Sequence, residues 1–287
     1  MLRIYPRDRG PLVVALQILL NRHARASLLV VDGVFGPNTR GAVEDLQGRA
    51  GMTPTGVVGP RTWRLIAADY AVVSANDIYD PRHDQLAPAE LRRRGYIATS
   101  GMSGGVEQVV CDVRRATRGP GSLALLRFYG HGAPGLMGVT GGSGTLRGSA
   151  GETIYRDETG RELAAGQRPN PRWGRPVMGD HVRDHTTISN ATMDRIRNQL
   201  GTLRPLFAPF GSVELHGCRV GRGPEGRRLL RSMAALLRVP VSAGRGPQTF
   251  GTRPELLRFE GPVETVFPSG DSLRDWARQV EGASPVS

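Results

Sequence analysis

Two short, largely apolar runs in this chain each lead through a glycine to a reactive side chain. Residues 123–129 precede His131, and residues 212–216 precede Cys218. A short apolar run closed by glycine is typical of a buried strand that opens into a loop. Because ligands bind at the carboxyl ends of the strands of an open α/β sheet, we expect both side chains at that edge. An imidazole beside a thiol is the pair that a cysteine nucleophile needs.

Strand-like and helical patterns alternate along most of the chain after residue 70. This alternation predicts an α/β fold with a mostly parallel sheet covered by helices. Residues 141–187 are rich in glycine, proline and arginine and predict an insertion, with a hairpin that turns at residues 157–160. The predicted helices cover 103–117, 192–207, 225–237 and 272–280, and the predicted strands cover 70–74, 96–99, 122–128, 212–215 and 239–243.

The first seventy residues contain an internal repeat. The segment Asp32-Gly-Val-Phe-Gly-Pro-Asn-Thr39 is echoed by Thr55-Gly-Val-Val-Gly-Pro-Arg-Thr62. In each copy the glycines permit a tight turn, and the last threonine is a candidate cap for the helix that follows. The apolar residues 12–20 follow several arginines, as in a secretory signal, but their spacing predicts the first helix of this unit instead.

This repeat resembles the peptidoglycan-binding-like module of bacterial cell-wall hydrolases. The resemblance covers about residues 10–67 and implies a small three-helix bundle, a first domain over residues 1–70, and peptidoglycan or another cell-wall polymer as its partner. Most of the matching residues are expected to hold turns and core rather than to contact a ligand. They are Leu16, Gln17, Asp32, Gly33, Phe35, Gly36, Pro37, Thr39, Ala42, Val43, Leu46, Gln47, Gly56, Gly59, Pro60, Thr62, Trp63 and Leu65.

The rest of the chain resembles the caspase–gingipain clan of cysteine peptidases. The resemblance lies in the order of a strand ending in His-Gly, a helix, a strand ending in Gly-Cys, a helix and a further strand. This part of the chain is similar to the caspase-like domain of large bacterial surface proteins. The resemblance covers roughly residues 72–267 and is dense only around 122–136 and 189–245. It implies that residues 71–287 form a caspase-like cysteine peptidase domain, with 141–187 as the insertion.

The resemblance also implies a role for individual residues. Cys218 would be the nucleophile and His131 the general base and acid, with the backbone N–H groups of Gly132 and Cys218 as the oxyanion hole. His216 lies two residues before the cysteine, on the same face of a strand, and would line the substrate pocket. Arg245 follows the next strand and would favour an acidic side chain of the substrate.

The leading functional hypothesis is therefore a wall-bound bacterial cysteine endopeptidase that cuts a protein or the peptide stem of the wall. One alternative is a non-catalytic cell-wall attachment protein. Another is a cargo toxin of a contractile injection apparatus, in which the N-terminal bundle serves for loading. A wall amidase of the cysteine type is disfavoured, because in the commonest such fold the cysteine precedes the histidine.

Composition and charge limit the classes of binding partner and the cellular locations that we expect. The net charge of +12 comes entirely from arginine and favours acidic partners. Basic residues with interleaved aromatics do not cluster, so no specific nucleic acid is expected. Without an apolar run near the roughly 20 residues of a membrane helix, no membrane span is expected. The predicted location is the bacterial cell envelope, reached without a conventional signal peptide, or otherwise the cytoplasm.

The two cysteines suggest neither a disulfide framework nor a zinc site. Cys111 and Cys218 have no CxxC spacing, and the helical pattern around Cys111 predicts a buried, inert thiol. His181 and His185 have a spacing that would suit a metal on a helix, but no third ligand is evident. We therefore expect no metal and no cofactor.

Overall fold

The helices of the first seventy residues each begin with a proline after a glycine. They are α1 (Pro11–Arg22), α2 (Pro37–Arg49) and α3 (Pro60–Ile66). Proline suits the first helical turn because the N–H that it lacks has no partner there. The computed structural model that gives this architecture describes residues 3–24, 28–77, 96–99, 105–139, 145–147, 153–155, 187–248, 259–270 and 272–282.

The internal repeat is built around two buried glutamines. The Nε2 of Gln17 donates to the Asp32 carboxylate (2.9 Å), the Val34 carbonyl (3.1 Å) and the Thr39 hydroxyl (3.2 Å), and its Oε1 accepts from the Asp32 and Gly33 N–H groups. The turn that it holds contains Gly33 with a left-handed φ of 71°. One amide side chain thus fixes the whole turn before α2.

Gln47 repeats this arrangement in the second copy. Its Nε2 donates to the Val57 carbonyl (2.9 Å) and the Thr62 hydroxyl (3.0 Å), and its Oε1 accepts from the N–H groups of Thr55 and Gly56. The expected structural role is confirmed for Gln17, Gln47, Thr39 and Thr62, whereas Leu65 is exposed. The predicted threonine caps are wrong: glycines occupy the cap positions, and the threonine hydroxyls lie inside the helices' first turns, where they meet the glutamines.

A six-stranded sheet follows in the described residues. Its strands are β1 (Ala71–Asp77), β2 (Tyr96–Thr99), β3 (Leu123–Tyr129), β9 (Phe207–His216), β10 (Val241–Gly244) and β11 (Val263–Val266). In space they run β11-β10-β9-β3-β1-β2, with every neighbouring pair parallel except β10 and β11. The mostly parallel α/β fold predicted from the sequence is confirmed.

Shorter strands and four further helices complete the described elements. β4 (Gly132–Ala133), β5 (Leu136–Gly138) and β8 (Thr187–Ser189) form one small antiparallel sheet, and β6 (Thr145–Arg147) pairs with β7 (Thr153–Tyr155). The helices are α4 (Gly105–Ala116), α5 (Met193–Gly201), α6 (Gly223–Leu237) and α7 (Leu273–Gly282). The predicted turn at 157–160 and His181 and His185 lie outside the described residues.

The two faces of the central sheet have different covers. Side chains such as Leu126, Phe128 and Val213 pack with α4, α5 and α6. On the opposite face, Leu125 and Phe210 belong to the same buried cluster as the N-terminal helices and α7. The N-terminal bundle therefore supplies one layer of the sandwich and shares a hydrophobic core with the sheet.

Two local predictions differ from the structure. The helix predicted over 192–207 ends at Gly201, and Pro205 lies in a short 3₁₀ turn before β9, because glycine and proline both disfavour a continued helix. Cys111 is exposed rather than buried. The valines of α4 bury the opposite face of that helix, which leaves position 111 facing away from the core.

Candidate active site

His131 and Cys218 follow equivalent positions on adjacent parallel strands. In the register of β3 and β9, Arg127 pairs with Glu214 and Tyr129 pairs with His216. Each reactive residue comes two positions after the second pair. In the sheet, β2 lies on one side of β1, whereas β3 and then β9 lie on its other side. The strand order therefore reverses between β1 and β3. The two residues therefore follow the carboxyl ends of strands beside the point where α/β sheets bind ligands.

The backbones that carry the two residues touch at Gly132. A Cβ placed on Gly132 would lie 2.6 Å from Cγ2 of Val220 and 2.8 Å from both the N of Cys218 and the carbonyl carbon of Gly217. A Cβ on Gly217 would in turn lie 3.0 Å from Cα of Gly132. Glycine is required at both positions because the two loops are in direct backbone contact.

The loop after β9 holds the thiol against the loop after β10. The Sγ of Cys218 accepts a hydrogen bond from the N–H of Gln248 (3.3 Å) and lies 3.5 Å from its carbonyl oxygen. Arg219, with a left-handed φ of 60°, donates its N–H to the carbonyl of Gly246 at 2.8 Å. The half-buried sulfur is therefore fixed between two strand ends.

A short pair of antiparallel strands, β4 and β5, follows His131 and fixes its backbone. His131 is exposed, and its carbonyl accepts from the N–H of Gly138 at 2.7 Å, where β4 and β5 meet. The turn of this hairpin is bound to the cysteine loop, because the N–H of Gly135 donates to the carbonyl of Val220 at 3.1 Å. The histidine loop and the cysteine loop thus support each other.

His216 is buried in an aromatic stack. Its ring lies 4.6 Å from that of Tyr129 and 4.1 Å from that of Phe259, and its Nε2 is 2.9 Å from a carboxylate oxygen of Glu214. It lines a cavity that it shares with the N-terminal arm, the segment of residues 3–9. Contact between this ring and a substrate stays a prediction.

Glu214 connects this histidine to a buried arginine. Its carboxylate accepts from Nε of Arg127 at 2.7 Å, and the two side chains are 14% and 5% exposed. Burial raises the pKa of Glu214, but the guanidinium charge and the His216 hydrogen bond outweigh it and lower the pKa to about 2. Burial lowers the pKa of His216 more than the carboxylate raises it, so the ring is neutral near pH 7.

Arg245 and Gln248 lie in the loop after β10. Arg245 is exposed and donates its N–H to the carbonyl of Pro262 at 2.9 Å, so the structure places it one strand beyond the thiol. Its preference for an acidic substrate stays a prediction. Sequence reasoning missed Gln248, whose buried side chain binds the backbone of Glu260 at 2.9 and 3.0 Å, because a lone glutamine in a loop gives no signal.

Sequence reasoning also missed the Arg127–Glu214 pair. Here a signal was present, because each residue interrupts a buried strand with a charge, and two such interruptions favour a partner across the sheet.

Within the described part of the chain, no three potential metal ligands converge on one point. No described helix has both the length and the apolar composition needed to cross a membrane.

Comparison with known proteins identifies the N-terminal unit. Residues 9–66 match the family model described as "Putative peptidoglycan binding domain", which supports the predicted module and a cell-wall polymer as its partner. A protein of Kitasatospora aureofaciens described as "Uncharacterized protein in bpoA1 3'region" is 45% identical over 56 residues, 20% of this chain and 48% of that protein. The match thus spans about half the length of this curated relative.

Proposed function

We propose that this chain is a caspase-like cysteine endopeptidase and that residues 9–66 bind it to the bacterial cell wall. The observation that carries the proposal is the placement of His131 and Cys218 after register-paired positions of adjacent parallel strands. The backbone contact at Gly132 adds support, because an oxyanion hole built from this loop and the cysteine N–H requires such an approach.

The proposed reaction uses the two side chains in sequence. Cys218 transfers its thiol proton to His131 and attacks the carbonyl carbon of the scissile peptide bond. The tetrahedral oxyanion accepts hydrogen bonds from the N–H groups of Gly132 and Cys218, a donor of this kind contributing about 2.7–4 kcal/mol to the transition state. The intermediate expels the amine, which takes the proton from His131, and water then hydrolyses the thioester with the same histidine as base.

Cleavage assays on the full chain test this proposal. Wild type, Cys218→Ala and Cys111→Ala would be incubated with a peptide library and with purified cell-wall sacculi, and the released fragments analysed by mass spectrometry. Cys111 is the matched control, because it is the other cysteine of the chain and is exposed on α4. We expect fragments from wild type and Cys111→Ala only. Equal release, or none, from wild type and Cys218→Ala would contradict the proposal.

A second candidate function is a non-catalytic attachment protein. The observation that favours it is the engagement of the Cys218 thiol by the backbone of Gln248, a contact that a purely structural cysteine would also make. In this case both units bind and neither cuts. Binding of wild type and Cys218→Ala to sacculi with equal affinity, without release of fragments by either protein, would favour this alternative.

A further inference from the structure

A cavity of about 350 Å³ lies where the N-terminal arm meets the sheet. The arm contributes Arg3, Arg7 and Arg9, while the sheet contributes the buried Arg127–Glu214 pair and His216. The cavity therefore belongs to neither unit alone. Its size is in the range of sites that hold small ligands or single residues of a longer chain.

The charge lining this cavity is positive. Four arginines face two carboxylates, those of Asp8 and Glu214, and the buried ring of His216 is neutral. Arg127 and Glu214 largely satisfy each other at 2.7 Å. Arg3, Arg7 and Arg9 make no ion pair with a carboxylate of the described residues. Guanidinium groups of this kind bind carboxylates through charge-assisted, often bidentate hydrogen bonds.

The backbone of the arm holds these arginines in place. Arg7 has a left-handed φ of 77°, a conformation uncommon for a residue with a Cβ, and its N–H donates to the carbonyl of Phe35 at 2.9 Å. Arg9 forms a β-bridge with Val34, and Ile4 forms one with Val58. The arm is thus tied to both turns of the internal repeat, so its arginines are held against the unit that the repeat forms.

One residue of the cavity wall lies close in sequence to the candidate nucleophile. His216, in its wall, precedes Cys218 by two residues at the end of β9. Arg3 lines a second cavity as well, which is formed on the module around Thr55, Arg61 and Thr62. Arg3 borders both cavities and His216 borders the first, so a ligand in the first cavity would lie between the N-terminal arm and the strand that precedes the thiol.

We propose that this cavity binds a carboxylate of the peptide stem of the cell wall and delivers that stem to the candidate active site. Peptide stems of peptidoglycan carry free carboxylates. Arg9 lies within the residues 9–66 that match a wall-binding family, and Arg3 and Arg7 lie just before them on the same arm. The inference rests on the proposed function for the step of delivery, but the binding itself does not require cleavage.

Binding of a synthetic wall stem pentapeptide to the full chain tests this site. Calorimetry in the Cys218→Ala background separates binding from cleavage, so a failed peptidase proposal would leave the result intact. We expect Arg7→Ala/Arg9→Ala to weaken binding by about tenfold or more, equivalent to at least about 1.4 kcal/mol, and added salt to weaken it further. A stem whose carboxylates are amidated should bind weakly to all variants.

Two control variants locate the ligand. Arg64→Ala removes a single positive charge from an exposed position of α3 and should leave the affinity unchanged. Arg61→Ala tests the second cavity. A loss of affinity confined to Arg61→Ala, or equal affinity of Arg7→Ala/Arg9→Ala and Arg64→Ala, would overturn the assignment. Equal binding of an all-L acidic peptide of the same length and charge would overturn the cell wall as the source of the ligand.

Discussion

A methyl group added at residue 132 would collide with the backbone of the candidate nucleophile. The Cβ of Gly132→Ala would lie 2.6 to 2.8 Å from Val220, Gly217 and Cys218, so one of the two loops must move. We expect the variant to lose about tenfold or more of its reaction rate with a peptide electrophile, and about 1–3 kcal/mol of its free energy of unfolding.

Rate measurements and urea unfolding check this prediction together. Gly246→Ala is the matched control, because it lies in the neighbouring loop and its Cβ would meet no atom within 4 Å. A Gly132→Ala variant as reactive as Gly246→Ala would show that the two loops need not touch for Cys218 to react.

The buried Glu214 predicts an acid-sensitive fold. Its pKa is lowered from 4.5 to about 2, so its contribution to stability is fully present above about pH 4.5 and is lost as the pH falls towards 2. Glu214→Gln leaves the Arg127 charge buried without its counter-ion and should cost about 3–5 kcal/mol near pH 7. The difference from wild type should narrow near pH 3.

Urea unfolding at both pH values measures this difference. Glu264→Gln serves for comparison, because its partner Arg227 is 54% exposed and an exposed pair contributes about 0–1 kcal/mol. A Glu214→Gln variant as stable as Glu264→Gln near pH 7 would refute the prediction.

At the scale of single elements, the repeated glutamine contacts stabilise the turns of the N-terminal bundle. Gln47→Ala removes hydrogen bonds to both sides of its turn and leaves the buried N–H of Gly56 without its acceptor. We expect a loss of about 2–4 kcal/mol in the free energy of unfolding of the full chain. Gln199→Ala, which removes a half-buried glutamine of α5 whose Oε1 accepts no hydrogen bond from the described residues, should cost less than about 0.5 kcal/mol. Equal losses would rule out this structural role.

The elements also show how far sequence patterns reach. The spacing of Leu16, Leu19 and Leu20 was enough to predict α1, because a buried helix face requires that spacing. The carboxyl end of β9 was predicted to within one residue, but its start was missed, since residues 207–211 carry the same apolar character as the end of a helix. The burial of Cys111 depended on which face of α4 packs against the sheet. The local pattern predicted a buried thiol, but Cys111 lies on the exposed face.

For the whole molecule, local sequence patterns could not predict that the N-terminal bundle and the sheet share one hydrophobic core. The sequence predicted a three-helix bundle before an α/β sheet but not their packing, because that depends on which face of the sheet remains uncovered. Phe210 in β9 contacts the bundle side, with its ring 4.9 Å from Tyr70. The candidate site was more predictable, because the carboxyl edge of a parallel sheet follows from strand order alone.

Removal of residues 1–70 should therefore damage the remaining chain. The truncation uncovers Leu125, Phe210 and their neighbours in the shared core, an exposed apolar surface that a soluble fold rarely tolerates. We expect the truncated protein to lose cooperative thermal unfolding and to bind a hydrophobic dye, as measured by near-ultraviolet circular dichroism and fluorescence. Cooperative unfolding at the wild-type midpoint would show that the bundle is an independent domain.

The dependence of Cys218 reactivity on His131 tests the central claim most directly. Wild type, His131→Ala and Cys111→Ala would be treated with an electrophilic peptide probe, and the modified cysteine identified by mass spectrometry. We predict rapid labelling of Cys218 in wild type and Cys111→Ala, and a loss of about 100-fold or more in His131→Ala, as removal of a general base implies. Labelling of Cys218 at the same rate with and without His131 would contradict the claim.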